Sequence, residues 1–286
     1  MNDLLVLTKV RLNALVVFTT AGGYYMGATG PVHLGYMLAA CVGTALVASG
    51  AAALNQIHER QLDALMERTA NRPMPQGRIP IAQANLVAYG LTAAGLLLLF
   101  FGLPQGANWR AAALALATHV LYVVVYTPMK PRTSLATVVG ALPGALPPMI
   151  GWAAARGSVE LVAWSLFLIM FLWQMPHFLA IAWMYRDDYA RAGMPMLPVI
   201  DRDGAMTGRQ ALIYAAALMP ASILPMAFGM TTRLYGIGAL VLGLGLAIVA
   251  AVFMFQRTRQ NARILFLTSI TYLPLLMLLL GLTRRS

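Results

Sequence analysis

The sequence predicts an all-α, polytopic membrane protein, with about nine transmembrane helices in one bundle. Three observations carry that prediction. Hydrophobic residues make up 60% of the 286-residue chain and charged residues 10%, against ~45–50% and ~25% in soluble domains. The apolar residues gather into long runs, and a run of about 20 crosses the ~30 Å hydrocarbon layer as a helix. The few charges fall between the runs. Such a chain cannot cover its surface with polar groups, which argues against a soluble domain, a disordered segment and a disulfide scaffold. The single Cys41 has no partner in the chain and lies in an apolar run, where a thiol packs. The formal charge of +11, from 20 basic and 9 acidic residues, would suit nucleic acid if it formed one face. Only two of the basic residues are Lys, and they sit in short loops, so membrane lipid is the expected surrounding and nucleic acid is not an expected partner.

The nine runs cover 12–29, 34–57, 82–103, 109–126, 135–155, 160–185, 209–229, 232–255 and 263–282. Backbone polar groups in lipid must be satisfied internally, so each run is expected to be helical. Gly and Ala within them, as at Gly35, Ala39, Gly236 and Gly238, allow close helix packing. The start, Asn2-Asp3 with Lys9 and Arg11 only later, is not the charged opening of a cleavable signal peptide, and none is expected. Fifteen basic residues fall on the face that holds the N-terminus. Five, Arg110, Arg156, Arg233, Arg284 and Arg285, fall on the other. Positive residues stay inside, which predicts a cytoplasmic N-terminus and a C-terminus on the opposite side.

Seven of the nine acidic residues also fall on the N-terminal face, between spans 2 and 3 or spans 6 and 7. The first group closes span 2. Asn55, Glu59, Asp63 and Glu67 recur every four residues, which on a helix makes one slowly winding stripe. Oxygen ligands in a row suit a hard divalent cation. Mg²⁺ takes one or two carboxylates, keeps water and fills the rest with phosphate oxygens. Arg60, Arg68, Arg72 and Arg78 offer planar donors for phosphate. The segment therefore reads as a metal–diphosphate site, with a salt-bridged surface helix as the alternative.

The second group is Asp187-Asp188, between Arg186 and Arg191. Two adjacent carboxylates repel unless a cation joins them. His177 precedes Asp188 by eleven residues, close to three helical turns, so both are expected on one face about 16 Å apart. An ionisable residue inside a span is a functional candidate, and a neutral His bonded to a neighbouring helix is the alternative. Pro176 is expected to kink this span. Span 4 ends Tyr126-Thr127-Pro128-Met129-Lys130, with Arg132 close behind. Span 5 holds Pro143, Pro147 and Pro148. These should break it, and membranes tolerate a break that lines a cavity.

These segments resemble the UbiA-type intramembrane prenyltransferases, and among them the heme O synthases. The first motif matches in Asn55, Glu59, Arg60, Asp63, Met66, Arg68, Thr69, Arg72 and Pro73. The middle matches as Tyr126-Thr127 with Lys130, Gly144-Ala145, Pro147-Pro148 and Gly151-Trp152. The third matches as Trp173-Gln174, Pro176-His177-Phe178, Asp187-Asp188-Tyr189, Ala192-Gly193 and Pro195-Met196-Leu197-Pro198. Two features depart from the pattern. Relatives with aromatic acceptors carry a second pair of Asp residues four apart, where this chain has Tyr185 and Tyr189. Pro131 also separates Lys130 from Arg132.

The resemblance implies one integral-membrane domain over residues 1–286, with a central cavity open toward the cytoplasmic face. It implies farnesyl transfer from farnesyl diphosphate to a vinyl group of heme B, with Mg²⁺ as cofactor. Asn55, Glu59, Asp63, Asp187 and Asp188 would be the metal-binding, catalytic residues. Arg60, Arg68, Arg72, Tyr126, Lys130 and His177 would bind substrate. A bacterial plasma-membrane location and partners among heme-modifying enzymes or oxidase assembly proteins follow from the same resemblance. Two other functions remain open from the residues: a prenyltransferase for a quinone precursor or other aromatic acceptor, and a membrane transporter, which also uses broken helices and intramembrane charges.

Overall fold

The structure is a computed structural model that describes residues 3–104 and 106–285. The expectations that involve Asn2 and the Arg11 side chain lie outside the described residues. The helices run in the order α1 (Asp3–Leu7), α2 (Val10–Gly27), α3 (Leu34–Asp63), α4 (Ile81–Phe101) and α5 (Asn108–Val120). A π-helical stretch (Leu121–Tyr126) leads into α6 (Thr127–Met129), followed by α7 (Ala136–Ala145), α8 (Pro147–Arg156) and α9 (Leu161–Met184). The chain ends with α10 (Arg186–Arg191), α11 (Leu197–Ile200), α12 (Ala205–Ala227), α13 (Arg233–Phe255) and α14 (Arg259–Leu282). Among the described residues there is no strand, only an isolated bridge between Thr231 and Arg284.

Eight helical segments are long and apolar enough to cross a membrane, counting α5 to α6 as one and α7 with α8 as one. The remaining expected span, 12–29, is α2. It packs on α8 and α3 as the others pack on one another, but Asn13, Thr19, Thr20 and five glycine or tyrosine positions hold its hydropathy down. Its polar side chains are buried against neighbours. Large apolar residues such as Leu86, Phe101, Phe255 and Leu282 are exposed on the outer faces, as lipid contact requires.

Small residues set the closest approach. A Cβ at Gly151 of α8 would run into the Thr20 carbonyl of α2, and one at Gly23 into the Pro148 carbonyl. Gly27, four residues beyond Gly23, meets the Trp152 backbone. Without a strong hydrophobic force between helices in lipid, such backbone contact is a main source of association.

Three features of the helices shape the site. Helix α3 runs past residue 57 to Asp63, so it carries most of the acidic motif on one rigid element. Residues 64–80 then fold into turns, which takes Glu67 off the stripe. The Thr69 hydroxyl accepts the role of cap by donating to the Asp63 carbonyl at 2.9 Å. Span 5 breaks at Leu146, as the prolines require. Pro147 has no N–H for the Pro143 carbonyl, which takes the Leu146 N–H instead. Span 6 ends at Met184, and Tyr185 separates it from α10, so His177 and Asp188 do not share one helix face.

Replacement of Gly151 by Val should force α2 and α8 apart. Thermal or denaturant unfolding in detergent should show a loss of about 1–3 kcal/mol or more; an unchanged midpoint would remove this contact from the packing account.

Candidate active site

The site lies where α3 ends. Asn55, Glu59 and Asp63 occupy successive turns of that helix and are 1%, 3% and 1% exposed. Two buried carboxylates at the edge of an apolar bundle need cations, and two other segments supply them. Lys130, just after α6, donates to a Glu59 carboxylate oxygen at 2.9 Å. Arg72, from the turns that follow α3, donates to Asp63 Oδ2 at 2.8 Å. Asn55 donates through Nδ2 to the Thr127 hydroxyl at 3.1 Å. The π-helical stretch makes that contact possible: its wider turn lets Thr127 hydrogen-bond back to the Tyr122 carbonyl at 2.8 Å while facing α3. Such single π turns are frequent at functional sites.

A third cation, overlooked in the sequence, completes the group. Lys9 Nζ donates to Asn55 Oδ1 at 2.9 Å. Lys9 has φ 50° and is the one non-glycine residue with positive φ among the described residues. This left-handed turn separates α1 from α2 and drops the side chain into the site. The hold is firm on both sides. Gln56 donates to the Val6 and Leu7 carbonyls at 2.8 Å, and Arg78 makes two bonds to Asp3, at 2.9 and 3.1 Å. Burial, with the Arg72 charge adding to it, pushes the Lys9 ammonium down to about 7, despite Glu59. Lys130 is also buried, which disfavours its charge, yet the facing Tyr126 and Glu59 hold its pKa above the ordinary value. The Lys130 ammonium lies 5.5 Å over the Tyr126 ring.

The two acidic segments meet. Asp188, 7% exposed, accepts from the Glu67 backbone N–H at 3.3 Å and from Arg191. Arg191 also reaches Glu67 at 3.1 Å. Arg68 stacks over Tyr185 at 4.7 Å and bonds the Tyr189 hydroxyl at 3.2 Å. Met66, Ala192, Met194 and Met196 form an apolar cluster beneath. Asp187 points the other way: it is 86% exposed and lies 3.8 Å from Arg186 alone. Arg60 donates to its own Ile57 carbonyl at 2.8 Å.

Among the described residues no three His, Cys, Asp or Glu side chains gather closely enough to hold a metal. The five-residue ligand set Asn55, Glu59, Asp63, Asp187 and Asp188 is therefore not assembled as a cluster. Mg²⁺ needs only one or two protein carboxylates when phosphate oxygens and water fill the remaining positions. Glu59 and Asp63 fit that demand: Glu59 Oε1 is buried and, although 2.9 Å from Lys130 Nζ, makes no hydrogen bond of good geometry.

A chamber of about 190 Å³ leads from Lys9 and Tyr122 into the bundle, between α2, α3, α7 and α9. Its walls are mostly apolar, with Pro143, Gly144 and Pro147 from the broken span. Helix α9 divides its motif between two faces. Gln174 and Phe178 line the chamber, and Gln174 donates to the Ala141 carbonyl at 3.2 Å. Trp173 and His177 face α14 instead. Trp173 Nε1 donates to the Ser269 carbonyl at 2.7 Å. The His177 ring lies between Trp173 and Phe266 and bonds the Ser269 hydroxyl at 2.9 Å. His177 thus makes the contact to a neighbouring helix that the sequence offered as the alternative, and it is not among the residues that line the chamber.

Buried carboxylates paired with cations at the mouth of an apolar chamber define an intramembrane site for an anionic head and a hydrophobic tail. The chain belongs to the UbiA prenyltransferase family, whose pattern matches residues 15–277, and it is an integral membrane transferase. It is 45% identical over 285 residues to the protoheme IX farnesyltransferase of Solibacter usitatus, covering 96% of each chain. It is 42% identical to that of Koribacter versatilis, covering 97% of this chain and 92% of the other. The fold matches a digeranylgeranylglyceryl phosphate synthase structure with a TM-score of 0.80 at 15% identity, covering 98% and 97% of the chains. A UbiA homologue from Archaeoglobus fulgidus bound to GPP and Mg²⁺ matches at 0.66 and 14%, covering 98% and 99%.

His177→Ala should lower stability by about 1–3 kcal/mol, from the lost bond and two ring contacts, and leave KM for the prenyl diphosphate unchanged. Phe178→Ala, one residue on, should raise that KM several-fold. A steady-state titration on both variants checks this; the reverse pattern would return His177 to the site. Asp187→Asn should leave activity within about twofold, since an exposed charge contributes little, whereas Asp188→Ala should loosen the two packed loops.

Proposed function

We propose that this chain transfers a farnesyl group from farnesyl diphosphate to a vinyl group of heme B, with addition of water, to give heme O. The observation that carries the proposal is the pairing of Glu59 with Lys130 and Asp63 with Arg72, buried beside Lys9 at the chamber mouth. Buried pairs of this kind are poor sources of stability. Their value lies in exchange: a diphosphate takes the three cations, and its accompanying divalent cation takes the carboxylates. The names of the relatives at 42–45% identity support heme as the acceptor.

Each residue then has a task. Lys9, Lys130 and Arg72 bind the diphosphate oxygens and stabilise the charge that develops there as the bond to farnesyl C1 breaks. The electron pair of that bond leaves with the diphosphate. Glu59 and Asp63, with Asn55 beside them, would hold Mg²⁺, which would supply further charge neutralisation there. The vinyl π electrons of heme form the new bond to C1, and water adds to the resulting cation with loss of a proton. The walls formed by Phe178, Ile150, Val47 and Pro147 hold the prenyl chain and exclude water until the carbon–carbon bond exists. Asp188 and Arg68 act on the site by fixing the loop that carries Arg72.

The proposal includes Mg²⁺ dependence, action of residues 1–286 as one unit, and a site on the cytoplasmic side of a bacterial plasma membrane with the C-terminus opposite. The excess of basic residues at the acidic end supports that orientation. A heme-modifying enzyme that takes up the product, or an oxidase assembly protein, would be the natural partner.

Purified protein supplied with heme B, farnesyl diphosphate and Mg²⁺ should yield a porphyrin heavier by one farnesyl group and one hydroxyl group, read by mass spectrometry. Asp63→Asn and Lys130→Gln should each lower kcat by about 10²–10³-fold. No change in porphyrin mass, with prenylation of a hydroxybenzoate or naphthoate instead, would replace heme with an aromatic acceptor.

A further inference from the structure

The end of the bundle opposite the acidic site carries a second cavity. Only five basic residues belong to that end by position in the sequence, and three of them, Arg156, Arg284 and Arg285, line one hollow of about 570 Å³. A single carboxylate, Glu160, lies with them. It is already taken by Arg156 at 3.0 Å and by the Ser158 hydroxyl at 2.7 Å. Arg284 donates to the Ala28 carbonyl and lies 4.7 Å over the Tyr25 ring. Among the described residues neither Arg284 nor Arg285 has an acidic partner. Trp152 also lines the hollow. It is 2% exposed, and its Nε1–H has no hydrogen-bond partner. A buried indole N–H normally finds an acceptor. Two guanidiniums without an acidic partner, in a hollow that the unpartnered indole also lines, call for an anion with several oxygens.

The hollow also has an apolar extension. Tyr25 and Met26 belong to both it and a groove of about 390 Å³ between α2 and α14, walled by Phe18, Gly22, Met277 and Leu278. Phe18, Leu278 and Leu282 in that groove are exposed where lipid surrounds the bundle. An anion site that continues into a lipid-facing groove has the chemistry of an amphiphile's binding site.

We propose that this hollow and groove bind one anionic phospholipid. Its phosphodiester meets Arg284, Arg285 and the Trp152 N–H, and one acyl chain lies between α2 and α14. The bound lipid is not a substrate. The 18 residues of α2 place its two ends about 27 Å apart, with Lys9 at one and Tyr25 near the other. What the lipid does is tie α2, α8 and α14 together at the end remote from the chemistry. This inference stands apart from the assignment of heme or farnesyl diphosphate to the other end.

Native mass spectrometry of the delipidated full chain in nonionic detergent tests it, with three probes: phosphatidylglycerol, phosphatidylcholine of the same chains, and glycerol phosphate. One phosphatidylglycerol should bind, about tenfold more tightly than phosphatidylcholine, whose choline ammonium repels the same guanidiniums. Arg285→Gln should remove most of that preference, and Trp152→Phe should weaken binding of both lipids alike. Arg186→Gln, an exposed cation at the other end, should do neither. Arg285 is exposed, so its variant folds even if Trp152→Phe does not. Equal affinity for the two lipids, or a preference that survives Arg285→Gln, would overturn the proposal. So would glycerol phosphate binding as tightly as phosphatidylglycerol, which would make this a site for free anions. Binding rather than turnover is read, so failure here is distinct from failure of the proposed reaction.

Discussion

Two carboxylates carried to the end of an apolar helix impose the arrangement around them. Glu59 and Asp63 are nearly inaccessible, and an unpaired carboxylate in such a place would cost several kcal/mol. Each therefore takes a cation from a different part of the chain. Lys130, on Glu59, comes from the end of the fourth span, and Arg72, on Asp63, from the turns after α3; Lys9, from the bend before α2, joins them through Asn55. Holding these three cations in place accounts for much of the local structure: the π turn that seats Thr127 on Asn55, the Thr69 cap, the left-handed Lys9 and the α1 clamp on Gln56 and Arg78.

The chamber depends on a second constraint, the demand that every backbone group in lipid find a partner. Breaking a span at Leu146 would leave carbonyls exposed unless something met them. The Leu146 N–H turns to the Pro143 carbonyl, and Gln174 of α9 adds a side-chain donor at the Ala141 carbonyl one turn before the break. Gly144 has no side chain because a Cβ there would strike the Gln174 amide oxygen. The broken span and the polar residue packed against it together wall an apolar hollow below the charged site. Trp173 and His177, on the other face of the same helix, fasten α9 to α14 and keep that wall rigid.

The two ends of the bundle use charge differently. At the acidic end, cations and carboxylates neutralise one another in pairs that a charged substrate and its metal can exchange. At the far end, guanidiniums outnumber carboxylates and an indole donor stands unused. The first arrangement suits a ligand that arrives and leaves. The second suits a resident one.

The membrane class, most of the spans and the prenyltransferase motifs were legible in the sequence, because hydrophobic run length and residue spacing are local properties. So was the stripe Asn55–Glu59–Asp63, since its members lie on one continuous helix. Tertiary structure alone decided the rest. It turned Glu67 and Asp187 outward, because the helix ends at Asp63 and Asp188 takes the inward contact. It turned His177 onto Ser269, because α9 has two buried faces and spacing cannot say which one meets the chamber. It brought Lys9, 46 residues away in sequence, onto Asn55. Pairings across helices depend on which faces pack together, and that is a property of the assembled bundle.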